Sequence, residues 1–426
     1  MSFESNRAAA LGRLIGGTSA GLRGIASVCS AHPLVIEAAL ARGKRDGTLV
    51  LIEATCNQVN QAGGYTDMTP RDFRTFVAGI ADTVGLSMDR VILGGDHLGP
   101  NPWKTLPADE AMRHAEAMVA AYVDAGFSKI HLDCSMGCAG EPVALADEDV
   151  ALRAARLAAV AEQQATASGV TPSYIIGTEV PPPGGATHAI TTLDVTSIEA
   201  VAKTREAHRA AFADAGLDAA FERVIGLVVQ PGVEFGNENV VAYVPQKAQG
   251  LSATLTKMPG LVFEAHSTDY QTRAGLASLV ADGFAILKVG PGLTFALREA
   301  LYGLDAIAAV LVPEGEPDLM AEMEALMLEE PKHWRGHYHG DTERLQRHFS
   351  YSDRIRYYWP HPRAAAAVAR LAQRLSGRAI PETLISQYLA RLYPAVAAGE
   401  LHTDVHSICV AAIDLVLADY AAAVQD

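Results

Sequence analysis

Histidines and carboxylates stand near the ends of short apolar segments, where they could assemble a metal site. His97 follows VILGGD, His266 follows LVFEA, and carboxylates occur in two further segments as Glu179 and Asp133. Neutral imidazoles and a carboxylate are typical ligands of a zinc ion that keeps one coordination position open. The sequence therefore predicts a divalent metal, preferably zinc, held by His97, His266 and Glu179. The alternative is that each histidine is a hydrogen-bonded core residue.

Two further charged residues are candidates for chemistry. Asp96 directly precedes His97, and a carboxylate there could act as general acid or base or could orient a histidine. Lys288 could form a Schiff base, bind an anion or pair with Glu264. We favour anion binding or pairing, because a Schiff-base mechanism would make a metal redundant. The predicted catalytic residues are thus Asp96, Glu179 and Lys288.

Two segments could bind a phosphate group. Gly290 and Gly292 allow a close backbone approach, and the helix that begins there offers free N–H groups to an anion. The segment SDRIRYYWP carries Arg354 and Arg356 beside three aromatic residues. These arginines could reach over the site and hold a phosphate, or the segment could be an aromatic anchor with its charges outward. The other predicted substrate contacts are polar residues near strand ends: Glu53, Asn57, Gln230, Ser267 and Asp269.

These residues need a scaffold that brings strand ends together. Short β-rich runs alternate with longer segments whose apolar residues follow helical spacing. The predicted strands cover 25–29, 49–55, 91–96, 129–135, 174–180, 224–232, 261–267 and 284–290. Eight strands, each followed by a helix, predict an α/β fold of the (β/α)8 TIM-barrel type, with an open doubly wound sheet as the alternative. In a barrel, the carboxyl ends of the strands share one face, which is where catalytic residues gather.

The pattern changes near residue 313. VPEGEPD is an acidic, turn-rich linker, and the chain beyond it is rich in Ala, Leu and Arg without a clear strand. We therefore expect a TIM barrel over residues 1–312 and a helical C-terminal region over 313–426 that packs on the barrel.

Composition and charge argue against several classes of protein. The chain has 49 acidic and 34 basic residues, a net charge of −15, so we expect no nucleic-acid partner and no binding to an anionic membrane. It contains no run of 18 apolar residues that would predict a membrane span. Five cysteines without a CxxC pair, and an N-terminus unlike a signal peptide, predict a cytoplasmic protein.

Long motifs resemble one known family. They include SVCSAHPLVIEAAL, VLIEATCNQVNQAGGYTDMTP, ILGGDHLGPNPW, IGTEVPPPGG, EAHSTDYQTR, AILKVGPGLTFALREA and SDRIRYYWPH. With these motifs the chain is similar to the GatZ/KbaZ family, which is associated with tagatose-bisphosphate aldolase. The resemblance implies a TIM barrel related to class II aldolases and a place in galactitol, tagatose or N-acetylgalactosamine catabolism.

The resemblance leaves three roles open: a tagatose-6-phosphate kinase, a non-catalytic subunit supporting a separate class II aldolase chain, and a D-tagatose 6-phosphate 4-epimerase. The sequence lacks the GxxxxGK[ST] loop and a kinase-type glycine loop, which argues against the kinase. Class II aldolase chains usually hold zinc with three histidines, whereas only His97 and His266 follow convincing strands here. This departure argues against aldolase activity by this chain alone.

We therefore expect a metal-dependent 4-epimerase that acts on a phosphorylated ketohexose, with the aldolase subunit as the alternative. Breaking and re-forming the C3–C4 bond suits an aldolase-like site. A regulatory sugar-phosphate sensor is a third class, but no DNA-binding signature favours it. The sequence leaves the oligomeric state open, and a homo-oligomer is compatible with it.

Overall fold

The computed structural model describes residues 23–178, 193–314 and 319–425. Eight parallel strands close into a barrel in which consecutive strands are neighbours and the last pairs with the first. This closure confirms the TIM barrel, because an open doubly wound sheet would leave two unpaired edge strands. The strands are β1 (Ile25–Cys29), β2 (Val50–Thr55), β3 (Val91–Leu98), β4 (Lys129–Leu132), β5 (Ser173–Ile176), β6 (Val224–Val229), β7 (Val262–Ala265) and β8 (Ile286–Val289).

The inside of the barrel changes from apolar to charged along the strands. An apolar cluster fills its lower part with Ile25, Leu51, Ile92, Ile175, Ile225, Val228, Val262, Ala285 and Ile286. Alternate residues of a strand face the same side. The next inward layer therefore takes Ser27, Glu53, Gly94, Glu264 and Lys288, each two positions beyond a member of the apolar cluster. The strands read as apolar runs elsewhere because their outer faces pack under helices.

Each strand is followed by a helix, as the sequence pattern predicts. At the start of α1, His32 Nδ1 accepts a hydrogen bond from the Leu34 amide, so His32 is a capping residue. Thr69 and Asp72 form a capping box at α2. The helices are α1 (Pro33–Asp46), α2 (Pro70–Val84), α3 (Ala108–Asp124), α4 (Asp147–Ser168), α5 (Ile198–Asp214), α6 (Pro245–Ala253), α7 (Arg273–Ala281) and α8 (Pro291–Leu311).

Short elements lie in the connections. A four-residue helix, Asp218–Phe221, follows α5, and an antiparallel ribbon joins Glu234–Phe235 to Val240–Val241 after β6.

The C-terminal region consists of helices that pack on the barrel. They are α9 (Leu319–Glu329), α10 (Glu343–Phe349), α11 (Pro362–Leu375), α12 (Glu382–Tyr388), α13 (Tyr393–Ala397) and α14 (Val405–Gln425). The turn Arg354–Tyr358 lies between α10 and α11. The division at residue 312 stays a prediction.

The last helix, α14, belongs to the outer ring of the barrel. It packs against α1, α7 and α8, and Asp414 pairs with Arg42 and Arg45 of α1, with both N–O distances at 2.8 Å. By length and composition α14 could cross a membrane, a property that core helices share. Here Ile413 and Leu417 are buried among neighbouring helices.

Candidate active site

Charged side chains pair across the interior of the barrel. Lys129 Nζ lies 2.5 Å from Glu53 Oε1 and 2.6 Å from Glu264 Oε2, and all three side chains are fully buried. Lys288 Nζ contacts the other Glu53 oxygen and lies 2.5 Å from Asp96 Oδ1. Buried charges are tolerated when each has an opposite partner. This network therefore holds the carboxylates in place beneath the mouth of the barrel.

Three histidines meet directly above that network. The ring centroids of His97, His131 and His266 are 5.0–5.2 Å apart in every pair. His97 Nδ1 is 2.7 Å from Asp133 Oδ2, and His131 Nδ1 is 2.9 Å from Asp96 Oδ1. Imidazoles held by carboxylates have fixed ring orientations, a common arrangement at metal sites.

A backbone irregularity turns His97 into the site. Asp96 and His97 are neighbours on β3, so regular pleating would point them to opposite faces. The pairing of β3 with β4 shifts register between Gly95 and Leu98, and His97 has φ +51°. Ser267, which follows His266, has φ +54°. Non-glycine residues rarely adopt such angles, and strain of this kind clusters at functional sites.

The charges of the site shift its protonation states. Burial alone would raise the pKa of Asp96, but His97 and Lys288 hold that pKa well below its usual value. Burial would lower the pKa of His97, yet Asp96 and Asp133 raise it. Burial lowers the pKa of His266 to about 3. Asp96 is therefore ionised and His266 neutral near pH 7, which are the forms that bind a metal.

A metal cation fits this cluster. Candidate ligand atoms of Asp96, His131, Glu264 and His266 all lie within 4.8 Å of one another. His131 Nε2 is buried and has no hydrogen-bond partner among the described residues. Charge also favours a cation, since four buried carboxylates face only two lysines within the described part of the site. Those carboxylates are Glu53, Asp96, Asp133 and Glu264.

The ligand set differs from the one predicted from sequence. Of the two predicted histidine ligands, His266 belongs to the group whose candidate ligand atoms lie within 4.8 Å of one another, and His97 lies next to that group. His131 and Glu264 also belong to the group, although neither is a predicted ligand. His97 Nε2 is 3.8 Å from Asp96 Oδ2. Glu179, the predicted third ligand and catalytic carboxylate, lies outside the described residues.

A cavity opens above the cluster at the carboxyl ends of the strands. Asn57 and Tyr65 form part of its wall, and Arg356 and Tyr357 reach it from the C-terminal region. Most of the predicted site residues line this cavity: Asn57, Asp96, His97, His266, Ser267, Asp269, Lys288, Gly290 and Arg356. Glu53 lies beneath it in the charged layer.

The N-terminus of α8 is already occupied by a side chain. The Gly290 and Gly292 amides donate to Asp269 Oδ1 at 2.9 and 2.7 Å. Burial raises the pKa of Asp269 to about 6, although these amides favour its ionised form. A carboxylate of the chain itself thus uses these two N–H groups, and phosphate binding by the glycines stays a prediction.

Two other predicted substrate contacts also bond within the protein. Gln230 Oε1 accepts from the Gly232 and Val233 amides at 2.8 and 3.0 Å, which stabilises a turn. Arg354 Nε donates to the His333 carbonyl, and its guanidinium lies over the Tyr357 ring. Neither side chain lines the cavity, and their roles as substrate contacts stay predictions.

Arg356 is the cation that faces the cavity from above. Its guanidinium donates to the Ser352 and Asp353 carbonyls and to Tyr357 Oη. Among the described residues, none of its hydrogen bonds goes to a carboxylate. Tyr65 packs edge-on against Tyr357, with ring centroids 4.8 Å apart. An arginine in such a setting is suited to an anionic group.

The sequence reasoning missed Lys129 and His131 as site residues and did not select Glu264. Each could have been found by counting in steps of two along a strand. On β4 the count runs through Lys129 and His131 and reaches Asp133 directly after the strand. On β7 it selects Glu264, two residues before His266. A search limited to the last residues of each strand overlooks the inward-facing residues two positions earlier.

Comparisons with known proteins agree with this fold. A family model described as D-tagatose-1,6-bisphosphate aldolase subunit GatZ/KbaZ-like matches residues 16–425. The chain is 60% identical over 404 residues to the D-tagatose 6-phosphate 4-epimerase of Agrobacterium fabrum, covering 94% of each chain. It is 62% identical to the crystal structure of a probable tagatose 6 phosphate kinase from Sinorhizobium meliloti 1021, with a TM-score of 0.88, covering 94% of this chain and 100% of that one. The chain therefore belongs to the D-tagatose-1,6-bisphosphate aldolase subunit GatZ/KbaZ-like family.

Proposed function

We propose that the protein interconverts D-tagatose 6-phosphate and D-fructose 6-phosphate by inverting C4. One observation carries the proposal: a single cavity has carboxylates and imidazoles suited to a metal on its floor and the Arg356 guanidinium above them. The name of the Agrobacterium relative supports the reaction. The kinase name of the Sinorhizobium structure lacks support in the sequence motifs.

The cavity orients such a substrate by charge. Arg356 holds the phosphate at C6, and the carbonyl end faces Asp96, His131 and His266. A phosphate held at C6 keeps the aldehyde half, C4–C6, in the site after cleavage, and a bound metal would hold the enediolate half, C1–C3.

Zinc is the metal we propose, held by His131, Glu264 and His266, while Asp96 of the same group keeps its carboxylate for proton transfer. Its support is the imidazole content of the cluster, which is typical of zinc rather than of magnesium or calcium. Bound there, the metal would polarise the C2 carbonyl of the ketose.

Asp96 is the proposed proton-transfer residue. Its carboxylate takes the proton of the C4 hydroxyl, and the C3–C4 bond then breaks into a three-carbon enediolate and glyceraldehyde 3-phosphate. The aldehyde turns its other face toward C3 while Arg356 keeps the phosphate. The bond re-forms, and Asp96 returns the proton to O4. Lys288, 2.5 Å from Asp96 Oδ1, keeps the carboxylate ionised before the step.

The reaction fits cytoplasmic galactitol or tagatose catabolism. All five cysteines are unpaired, which suits a reducing compartment.

The alternative is a supporting subunit of a class II aldolase, favoured by the family description. In that role the chain would bind a separate aldolase chain and leave the chemistry to it. A scaffold has no evident need for three histidines and four carboxylates beside an open cavity.

The purified chain, supplied with zinc in D₂O, tests the proposal by NMR of the product. We expect fructose 6-phosphate without deuterium at C4, because the C4–H bond stays intact. Deuterium at C4 would replace the retro-aldol route by direct deprotonation. No conversion, together with strong stimulation of a separate aldolase chain, would establish the subunit role instead.

A further inference from the structure

A buried carboxylate joins the C-terminal region to the barrel next to the cavity. Asp353 Oδ2 accepts a hydrogen bond from Thr294 Oγ1 at 2.6 Å, and Oδ1 accepts from Arg298 Nε at 3.0 Å. Thr294 and Arg298 stand one turn apart on α8. We call these three residues the clasp. All three are buried, so water does not substitute for the bonds between them.

The ion pair of the clasp, Arg298 with Asp353, shares no salt bridge with other charged side chains in the described parts of the chain. Arg298 is 2% exposed, and its guanidinium lies 4.1 Å from the Phe295 ring centroid. Within the described ranges, Asp353 is the carboxylate at salt-bridge distance from it. Removing one member of a buried ion pair leaves the other charge unpaired, so the two residues hold each other in place.

The backbone of Asp353 holds Arg356. The Arg356 amide donates to the Asp353 carbonyl at 3.0 Å, and the Arg356 guanidinium donates to the same oxygen at 3.1 Å. Asp353 has φ +45°, a left-handed angle that turns the chain so that this carbonyl meets Arg356. The position of the guanidinium therefore depends on the conformation of Asp353.

Further hydrogen bonds anchor residues 350–352, the loop that directly precedes Asp353. Asn237 Oδ1 accepts from Ser350 Oγ at 3.0 Å and from Ser352 Oγ at 2.9 Å, and Tyr270 Oη donates to the Tyr351 carbonyl at 2.6 Å. The loop is thus attached to the barrel on two sides. Arg356 is presented by a fixed support, which limits the entropy lost when it binds an anion.

We propose that the clasp of Thr294, Arg298 and Asp353 is the positioning device that gives this enzyme its preference for phosphorylated ketoses, by fixing Arg356 over the cavity. The inference rests on the proposed function. Asp353 and Arg298 do not touch the reacting atoms, so they act through Arg356. At the α8 N-terminus the Gly290 and Gly292 amides already donate to Asp269, so Arg356 is the phosphate-binding group in this proposal.

The test measures the affinities of full-length variants for D-tagatose 6-phosphate and D-tagatose by calorimetry, with kcat and KM alongside. In Asp353→Asn the side chain keeps its shape, tolerates a positive φ and loses the charge that pairs with Arg298. We expect affinity for the phosphorylated sugar to fall about ten-fold and affinity for D-tagatose to stay unchanged. KM should rise while kcat stays within about three-fold. Arg356→Gln should lower the phosphate-dependent affinity roughly ten- to hundred-fold.

A matched control removes another ion pair of the same region. Glu324→Gln breaks the contacts of Glu324 with Arg347 and His348, which lie away from the cavity lining. It should leave phosphate preference unchanged. Should Asp353→Asn fail to fold, Thr294→Val removes one hydrogen bond of the clasp and should raise KM a few-fold.

The outcomes separate the two proposals. If the wild type binds both sugars with equal affinity, the proposal of a phosphate site is overturned. The proposed role of the clasp in phosphate preference then falls as well. If Arg356→Gln abolishes the preference for the phosphorylated sugar while Asp353→Asn and Thr294→Val retain it fully, the role of the clasp is overturned. The phosphate site at Arg356 then stands.

Discussion

Among single residues, His131 shows that the surroundings of an unpaired ring nitrogen decide whether it is a candidate metal ligand. His131 and His208 are both fully buried, and within the part of the chain that the structure describes the Nε2 atom of each has no hydrogen-bond partner. His208 lies on α5, where its Nδ1 meets the Thr204 carbonyl at 2.8 Å. His131 instead faces Asp96 and His266. An unsatisfied nitrogen alone does not mark a ligand, but one among carboxylates and imidazoles does.

His131→Ala should therefore weaken zinc binding, whereas His208→Ala should not. Loss of even an outer partner of a metal ligand typically costs about 10- to 100-fold in affinity, so loss of a ligand should cost at least about that much. Elemental analysis after dialysis against a weak chelator measures the metal retained by each variant. Equal zinc in the wild type and in His131→Ala would contradict the assignment.

Among the elements, β3 has a glycine where it faces the layer of buried charged residues inside the barrel. Gly94 faces the interior, and a Cβ there would lie 2.7 Å from Glu53 Cγ and 2.9 Å from its Oε1. Glu53 is also the partner of Lys129 and Lys288. The glycine is therefore required for a contact between strands rather than for a turn.

Gly94→Ala should displace Glu53, reduce turnover and lower the free energy of unfolding by about 1–3 kcal/mol. Gly79 is the matched control, because it lies on the exposed face of α2 and a Cβ added there would have no atom of the described residues within 4 Å. Gly79→Ala should stabilise the protein by about 0.5–1 kcal/mol and keep full activity. Urea unfolding and turnover assays compare the two. Wild-type stability and activity in Gly94→Ala would show that the layer adapts.

In the molecule as a whole, the sign of the net charge differs from the sign of the charge at the upper edge of the cavity. The chain carries −15 overall, yet Arg356 gives the cavity a cation at its upper edge. The C-terminal region supplies this arginine, and α14 completes the ring of helices. The site therefore depends on residues that lie far beyond the last strand.

If the C-terminal region and the barrel form one folding unit, Ile413→Ala should destabilise both together. Ile413 is fully buried on α14, and loss of a large core side chain costs about 2–5 kcal/mol. Leu152→Ala is the control, since Leu152 is 58% exposed on α4 and its loss should be near neutral. Activity and circular dichroism should be lost in one transition. Two separate transitions would support independent domains.

Strand and helix patterns are local, and for this reason the elements of the fold could be predicted from the sequence alone. Eight apolar runs with helical segments between them were sufficient to predict the barrel, which the structure confirms. Asp96, His97, His266 and Lys288 could be located because they lie in or directly after such runs. The family could be inferred from motifs such as EAHSTDYQTR.

Which side chains meet became known only from the three-dimensional arrangement. His97 turns inward through a register shift and a positive φ that regular pleating does not predict. Gly290 and Gly292 are typical of a phosphate loop in the sequence, but Asp269, 21 residues before Gly290, binds their amides. Hydrogen bonds and ion pairs between distant residues depend on ring closure and side-chain direction, and the local periodicity of a sequence does not encode these.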